Sequence, residues 1–249
     1  PTSTLYETYQ NKGGTIVGNY EVLLRLTNAN NYKWAEGTVL SGEYAKISWQ
    51  IVKAKLAIPS LEKESSVYSE SVQENKIIDY IAGRFNIASS TADVTDDTVR
   101  AENVGTYTIT VNIIDKHNYE WIGGGTAEQT LTWTITPKLL QKPSLGTVSD
   151  NSTYTGNPLT YTVYGYDALR MGNTPSASLQ FDGVTMTATN AGTYTLTISL
   201  SNKNNYNWDN GSGSSAGTAD VELKWTISAA NLCPDSSFVP GYLIRERNI

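Results

Sequence analysis

The stretch NAGTYTLTISL, residues 190–200, decides the fold. From Tyr194 onward, apolar residues alternate with threonine and serine, which is a period of two. This alternation predicts a β-strand with one face in a hydrophobic core and the other face in water. Asparagine- and glycine-rich stretches separate this strand from its neighbours along the chain, as expected for turns between strands.

The same stretch belongs to an internal repeat, which is the strongest pattern in the chain. A Gly-x-Tyr motif begins at Gly18, Gly105 and Gly192, so that 87 residues separate successive copies. An Asn-Tyr-x-Trp motif begins at Asn31, Asn118 and Asn205, with the same spacing. A Trp-x-Ile motif closes each copy at Trp49, Trp133 and Trp225. Each copy alternates as the opening stretch does, and no segment predicts an amphipathic helix.

The repeat also predicts the boundaries of the domains. Residues 57–140 and 141–230 are two full repeats, here called the second and third repeats. Residues 1–56 hold only the C-terminal half of a repeat, the partial repeat, because Thr4 aligns with Thr91 at the same spacing. Residues 231–249 are a tail or the start of a further repeat. We therefore expect the chain to be part of a longer array.

Composition excludes several classes of protein. The 249 residues carry a net charge of −6, 39% are hydrophobic and 17% are charged. This balance argues against intrinsic disorder and against a nucleic-acid binder, which needs a basic patch. No apolar run approaches the roughly 20 residues of a membrane span, so we expect no membrane insertion. The single cysteine, Cys233, excludes an internal disulfide but could cross-link two chains if exposed.

The residues around each Gly-x-Tyr motif carry a resemblance to a known family. Residues 190–194 and 103–107 resemble the tyrosine corner of immunoglobulin-like (Ig-like) domains, in which a tyrosine at the start of strand F bonds back to the backbone. Leu196, Ile109 and Val22 stand where those domains place a cysteine. Over nearly all of residues 1–230 the chain resembles the tandem bacterial Ig-like repeats of large bacterial cell-surface proteins. The predicted fold is therefore all-β, with tandem Ig-like β-sandwiches in an elongated array.

The resemblance implies a non-catalytic protein at the bacterial cell surface. It implies extracellular localisation and a spacer, or stalk, for an adhesin or another surface protein, and it does not imply a catalytic site. We expect no cofactor. Pro137 lies in a short connection between two repeats, where it limits hinge freedom. We therefore expect a semi-rigid rod.

A search for chemistry-bearing residues in the sequence predicts no enzyme and no metal site. His117 is the single histidine, and Asn30 and Asn204 stand at the equivalent positions, so the fold does not require it. No Gly-x-Ser-x-Gly nucleophile motif is present. Asp93, Asp96 and Asp97 form an acidic cluster without the spacing of a calcium loop, which favours a solvated loop.

The aromatic residues allow two interpretations. The candidate ligand-binding residues are those of the Asn-Tyr-x-Trp motifs: Tyr32, Trp34, Tyr119, Trp121, Tyr206 and Trp208. They follow strand F, so they could bind a glycan or a host surface protein through the F–G loops. Alternatively they cap the core, which their constant spacing favours. The predicted structural core contains Tyr20, Tyr107, Tyr194, Trp49, Trp133 and Trp225.

Self-association is a further expectation. An incomplete sandwich exposes sheet edges, and the tail from Asn231 has the pattern of a first strand. Head-to-tail self-association by strand addition would complete the partial repeat of one chain with the tail of another. The sequence favours the simpler alternative, a segment of a longer chain.

Overall fold

The computed structural model describes residues 5–11, 13–146 and 152–231. These residues form strands and turns and no helix, which confirms the all-β prediction. The chain divides into two compact units, Pro1–Thr136 and Pro137–Ile249. The boundaries of the individual repeats stay predictions. The predicted tail strand and Cys233 lie outside the described residues.

The partial repeat forms a single four-stranded sheet. Its strands are β1 (Tyr6–Asn11), β2 (Gly18–Leu26), β3 (Leu40–Ser41) and β4 (Tyr44–Ile51). They lie in the order β1-β2-β4-β3, and all neighbours are antiparallel. Among the described residues of the first unit, no second sheet covers this one. Its apolar side chains therefore stay partly exposed.

The second repeat follows in the same unit and forms a complete sandwich. Its strands are β6 (Ser60–Leu61), β7 (Ser65–Val67), β8 (Gln73–Ile78), β9 (Phe85–Ser90), β10 (Asp93–Thr95), β11 (Thr98–Ala101), β12 (Gly105–Ile113), β13 (Tyr119–Trp121) and β14 (Gln129–Thr136), after β5 (Ala54–Leu56). One sheet has the order β10-β11-β8-β6 and the other β7-β14-β12-β9.

This strand order is that of an Ig-like domain. Strands A, B, E and D of such a domain form one sheet, and strands C, F and G form the other. Here β6, β8, β11 and β10 take the first set of positions, and β9, β12 and β14 take the second. Strand β7 switches sheets and pairs in parallel with β14. The Ig-like topology therefore follows from the hydrogen-bond pattern of the chain itself.

The core of the second repeat lies between these two sheets. Alternating residues of β12 are buried at Ile109, Val111 and Ile113, and Trp133 from β14 is 0% exposed. They pack with Val99 and the other buried residues of the opposite sheet. The predicted alternation of strand F is confirmed, because each buried position is two residues from the next.

The third repeat has the same architecture in the second unit. Its strands are β16 (Ser144–Leu145), β17 (Ser152–Thr153), β18 (Leu159–Tyr164), β19 (Met171–Pro175), β20 (Gln180–Phe181), β21 (Thr185–Ala188), β22 (Gly192–Leu200), β23 (Tyr206–Trp208) and β24 (Val221–Ser228), after β15 (Lys138–Leu140). The sheets are ordered β16-β18-β21-β20 and β17-β24-β22-β19.

Two short parallel pairs complete the fold. Strand β5 pairs with β13 in the first unit, and β15 pairs with β23 in the second. Strands β5 and β15, which connect successive repeats, are here called the linker strands. Both pairs have the same register: the first residue of the linker strand lies opposite the tyrosine of the Asn-Tyr-x-Trp motif, with Ala54 opposite Tyr119 and Lys138 opposite Tyr206. The sequence did not predict these pairs.

Candidate functional site: the F–G segments and the ends of the repeats

The Asn-Tyr-x-Trp residues lie in a segment that begins the F–G connection, here called the F–G segment (residues 28–34, 115–121 and 202–208). It opens with an Asx turn, in which an asparagine or aspartate side chain accepts from a backbone N–H three residues later. The N–H groups of Asn31, Asn118 and Asn205 donate to this side chain at 3.1–3.2 Å. The turn is local, so it forms in all three repeats.

The tryptophans of the two intact F–G segments are core residues. Trp121 is 2% exposed and Trp208 is 0% exposed. The indole Nε1 of Trp121 donates to the carbonyl of Ala127 at 2.6 Å, and that of Trp208 to the carbonyl of Ala219 at 2.7 Å. Each hydrogen bond ties the F–G connection to the end of the sandwich. Neither indole presents a free face for stacking on a ligand.

The tyrosines of these segments lie against the linker strands. Tyr206 is buried and Tyr119 is half-buried. The N–H of Ala54 donates to the carbonyl of Asn118 at 2.9 Å, and the N–H of Lys138 donates to the carbonyl of Asn205 at 3.0 Å. The linker strands therefore continue directly into hydrogen bonds with the F–G segment, which leaves few unpaired backbone groups there.

The partial repeat differs at the same positions. Tyr32 is 48% exposed, and Trp34 is half-buried with its Nε1 donating to the carbonyl of Glu43 at 2.9 Å. The rings of Tyr6 and Trp34 lie 6.3 Å apart. In the described residues, Tyr32–Trp34 belongs to no strand. Among the six candidate aromatic residues, Tyr32 is the one whose side chain is exposed.

The end of the partial repeat contacts the F–G segment of the second repeat. The Asn118 Oδ1 accepts from the N–H of Val17 at 2.8 Å, and its Nδ2 donates to the Asp115 carboxylate at 2.7 Å. The Nε2 of His117 lies 3.2 Å from the carbonyl oxygen of Val17. The side chain of Lys53 donates to the carbonyl of Lys116 at 2.7 Å. His117 is thus part of a contact between two repeats.

The tyrosine corner predicted at Tyr107 and Tyr194 is confirmed, and Tyr20 of the partial repeat makes the same bond. The hydroxyl groups of Tyr20, Tyr107 and Tyr194 donate to the carbonyl oxygen four residues earlier, at 2.6, 2.6 and 2.8 Å. In the partial repeat that carbonyl belongs to Ile16, the residue before Val17. The corner therefore fixes the backbone that receives Asn118.

The predicted core aromatics pair with one another in each repeat. Ring centroids are 5.9 Å apart for Tyr107 and Trp133 and also for Tyr194 and Trp225. Trp133 and Trp225 are buried, and each Nε1 donates to a serine at 3.0 Å. Trp49 differs from the prediction: it is 38% exposed because no second sheet covers its side of β4 in the described residues.

A second aromatic cluster lies on the partial repeat and was missed by the sequence analysis. The rings of Tyr9 and Tyr44 stack with centroids 4.1 Å apart, and the Arg25 guanidinium lies 5.8 Å from the Tyr9 ring centre. A hydrogen bond with Tyr9 raises the pKa of Tyr44 to about 12. Arg25 also forms an ion pair with Glu7. The register of β1 against β2 and β4 brings these residues together, which sequence spacing alone does not reveal.

The carboxylates are engaged in local hydrogen bonds. Lys76 and Thr98 lower the pKa of Asp97, to which Lys76 Nζ donates at 2.8 Å. The Asn118 side chain lowers the pKa of Asp115, and Lys55 lowers that of Glu120. Within residues 5–11, 13–146 and 152–231, no group of three or more histidine, cysteine, aspartate or glutamate residues could hold a metal ion.

Two recesses lie at the ends of repeats. One, of ≈ 220 Å³, lies at the contact between the partial and second repeats and is lined by residues that include Val17, Val52, Ala54 and Asn118. The other, of ≈ 350 Å³, lies in the second unit and is lined by Tyr154, Asn190, Ala191, Ala229 and Ala230. Its lining is mostly apolar.

Comparisons with known proteins show likeness to tandem domains. Domains 4 and 5 of the S-layer protein SbsC are 16% identical to this chain, with a TM-score of 0.30. The match covers 71% of this chain and all of the SbsC fragment. A three-Ig fragment of titin matches with 10% identity, 87% and 93% coverage and a TM-score of 0.28. The D00-D0 domain of intimin matches with 12% identity, 68% and 99% coverage and a TM-score of 0.22.

The Ig-like assignment rests on the strand order of the chain itself, since these scores are low. No family model matches the chain. No curated protein matches it either. Within the described residues there is no helix long and apolar enough to cross a membrane.

Proposed function

We propose that the chain is a non-catalytic, extracellular spacer of a bacterial surface protein or adhesin, built to carry tension. The observation that carries this proposal is the parallel pairing, in each intact sandwich, of the second strand, which has switched sheets, with the last strand. Strand β7 pairs with β14, and β17 pairs with β24. The resemblance of the sequence to bacterial Ig-like repeats supports the location at the cell surface.

Parallel pairing determines how a pulling force acts on the hydrogen bonds. The chain enters each pair through β7 or β17 and leaves through β14 or β24 at the opposite end, so tension slides one strand along the other. Several bonds must then break together, whereas a hairpin pulled from one end opens one bond at a time. In the third repeat the N–H of Tyr154 donates to the carbonyl of Ser228 at 2.8 Å. In the second repeat Tyr68 makes the equivalent bond to Thr136 at 2.9 Å.

Single-molecule force spectroscopy on the full chain tests this proposal. Tyr154→Pro removes the donor to Ser228, whereas Tyr154→Ala removes the side chain and keeps that donor. We expect the proline variant to lower one of two unfolding forces and the alanine variant to leave both nearly unchanged. Equal unfolding forces in wild type and Tyr154→Pro would show that this strand pair does not resist the applied force.

A second candidate function is binding of a glycan or a host surface protein. The exposed Tyr32 beside the half-buried Trp34 favours it, because exposed aromatic rings stack on sugars and anchor protein interfaces. A glycan and host-matrix array probed with the full chain separates the two functions. A spacer gives no specific signal. A signal lost in Tyr32→Ala and retained in Tyr164→Ala, which changes another exposed tyrosine, would support binding.

A further inference from the structure

The recess in the third repeat has the same position in the fold as a surface that is occupied in the first unit. Its residues Ala191 and Ala230 correspond to Val17 and Ala54 of the partial repeat, by the common spacing of the motifs. Val17 donates its N–H to Asn118 at 2.8 Å, and Ala54 lies opposite Tyr119 in the parallel pair. At the partial repeat, therefore, the same surface holds the F–G segment of another repeat.

The backbone of this recess is held in the same way at both places. The Tyr194 hydroxyl donates to the carbonyl of Asn190, as Tyr20 does to Ile16. The residue that follows, Ala191, therefore stands where Val17 receives the asparagine side chain. A donor fixed by the tyrosine corner loses little freedom on binding, which favours docking.

The linker sequences agree with this equivalence. Leucine stands at the third position of Ala54-Lys55-Leu56, of Lys138-Leu139-Leu140 and of Ala230-Asn231-Leu232. Leu56 lies opposite Trp121, and Leu140 lies opposite Trp208. Leu232 lies outside the described residues, but in the sequence it occupies the same third position as Leu56 and Leu140.

The complementary surface is present at the other end of the sequence. Asn31–Trp34 has the Asx turn of the other F–G segments, with the Asn31 N–H donating to Asn28 Oδ1 at 3.2 Å. Tyr32 is 48% exposed, whereas the equivalent Tyr206 is 6% exposed against its linker strand. The Asx turn of this F–G segment is therefore already formed, while its tyrosine has no linker strand against it in the described residues.

We propose that Asn31–Trp34 of one chain docks on the recess at Ala191 and Ala230 of a second copy, head to tail. The Oδ1 of Asn31 accepts from the N–H of Ala191. Tyr32 lies opposite Ala230 and Lys33 opposite Asn231, in the register of the two observed pairs. This contact differs from addition of the tail to the uncovered sheet of the partial repeat.

Disulfide trapping in the full chain tests the register. Tyr32→Cys and Ala230→Cys are introduced together with Cys233→Ser, because Cα atoms about 4.4–6.8 Å apart can be bridged. Oxidation is expected to give a ladder of dimers and larger species on a non-reducing gel. Ala54→Cys with Tyr119→Cys, also with Cys233→Ser, is the positive control and should close within one chain. The pair Asn86→Cys and Ala230→Cys, also with Cys233→Ser, is the negative control, which measures how much disulfide forms by random collision between chains.

Variants of the side chains that dock sharpen the test. Added to the trapping pair, Asn31→Ala should lower the rate of ladder formation by roughly 3–10-fold, as loss of one hydrogen bond would. Asn31→Asp keeps the acceptor and should retain the ladder, and Asn86→Ala should change nothing. Asn231→Glu should accelerate trapping through Lys33, and Asn231→Lys should slow it, with both effects reduced by salt.

Two results would overturn the proposal. One is a ladder no stronger than that of the collision control. The other is a ladder that Asn31→Ala does not weaken and Asn231→Lys does not slow, since association would then use another surface, such as the edge of the uncovered sheet. Asn231 is exposed, so Asn231→Lys alone, with light scattering of the otherwise unchanged chain, tests the same contact without Ala230→Cys. Association that Asn231→Lys does not weaken would also contradict the proposal.

Discussion

The partial and second repeats carry the same motifs, yet they bury them to different degrees. Trp133 is 0% exposed, whereas Trp49 at the equivalent position is 38% exposed. By contrast, the hydrogen bond of the tyrosine corner, from the hydroxyl to the carbonyl oxygen, is 2.6 Å long in both repeats. Local hydrogen-bonded motifs thus form within one sheet, whereas burial of a large side chain needs the second sheet. This division predicts unequal losses of stability in the two repeats, with the largest difference at the closing tryptophan.

Removing the closing tryptophan should destabilise the second repeat far more than the partial repeat. Trp133→Ala is expected to cost about 3–5 kcal/mol of unfolding free energy, because it empties a buried site. Trp49→Ala should cost less than about 2 kcal/mol, since its ring is already partly hydrated. Urea unfolding of the full chain, followed by circular dichroism, measures both. Equal losses would contradict the burial argument, and Trp225→Ala serves as the matched substitution in the third repeat.

Removing the asparagine that joins two repeats should have an intermediate effect. Asn118→Ala removes the acceptor for Val17 and the donor to Asp115, and each such bond contributes about 0.5–1.5 kcal/mol. Hydrogen exchange of the Val17 amide should become faster, while the Tyr107 amide in the same unit keeps its protection. An unchanged Val17 amide would show that Asn118 does not hold the contact.

The same variant should alter the titration of Asp115. The pKa of Asp115 lies below its ordinary value of 3.8, chiefly through the hydrogen bond from Asn118. Its contribution to stability is therefore complete above the unfolded pKa and is lost as the pH falls through the folded pKa. Carboxyl-detected NMR should show this pKa rising in Asn118→Ala.

Removing one hydroxyl tests whether the tyrosine corner is local. Tyr107→Phe and Tyr20→Phe each remove one hydrogen bond, for an expected loss of about 0.5–1.5 kcal/mol. If the corner depends only on its own sheet, the two losses should agree within error. A much smaller loss for Tyr20→Phe in urea unfolding would mean that the corner needs a complete sandwich.

The aromatic cluster of the partial repeat predicts a shift in titration. The pKa of Tyr44 is raised from 10.0 to about 12, mainly by its hydrogen bond with Tyr9. The bond stabilises the fold below the unfolded pKa, and this contribution is lost as the pH rises through the folded pKa. In Tyr9→Phe, NMR titration of labelled tyrosine should show Tyr44 moving back toward 10.0. Titration near 12 in that variant would assign the shift to another cause.

Much of the fold could be predicted because its signals are local. The alternation at Ile109, Val111 and Ile113 predicts which face of strand F is buried. The residues before Tyr107 predict the tyrosine corner. The F–G segments were harder to predict, since an exposed ligand platform and a core cap share the same aromatic residues. In the second repeat, only the burial of Trp121 and its hydrogen bond to the Ala127 carbonyl distinguish the two.

The sequence by itself determined the repeat spacing, the all-β class, the tyrosine corners and the absence of a disulfide, because each depends on residue type and short-range pattern. The tertiary structure alone decided the contacts of Asn118 with Val17, the stacking of Tyr9 on Tyr44 and the exposure of Trp49. The two contacts join residues far apart in the chain, so they depend on the register of the strands. The exposure of Trp49 depends on whether a second sheet covers its sheet. A one-dimensional pattern does not encode either quantity directly.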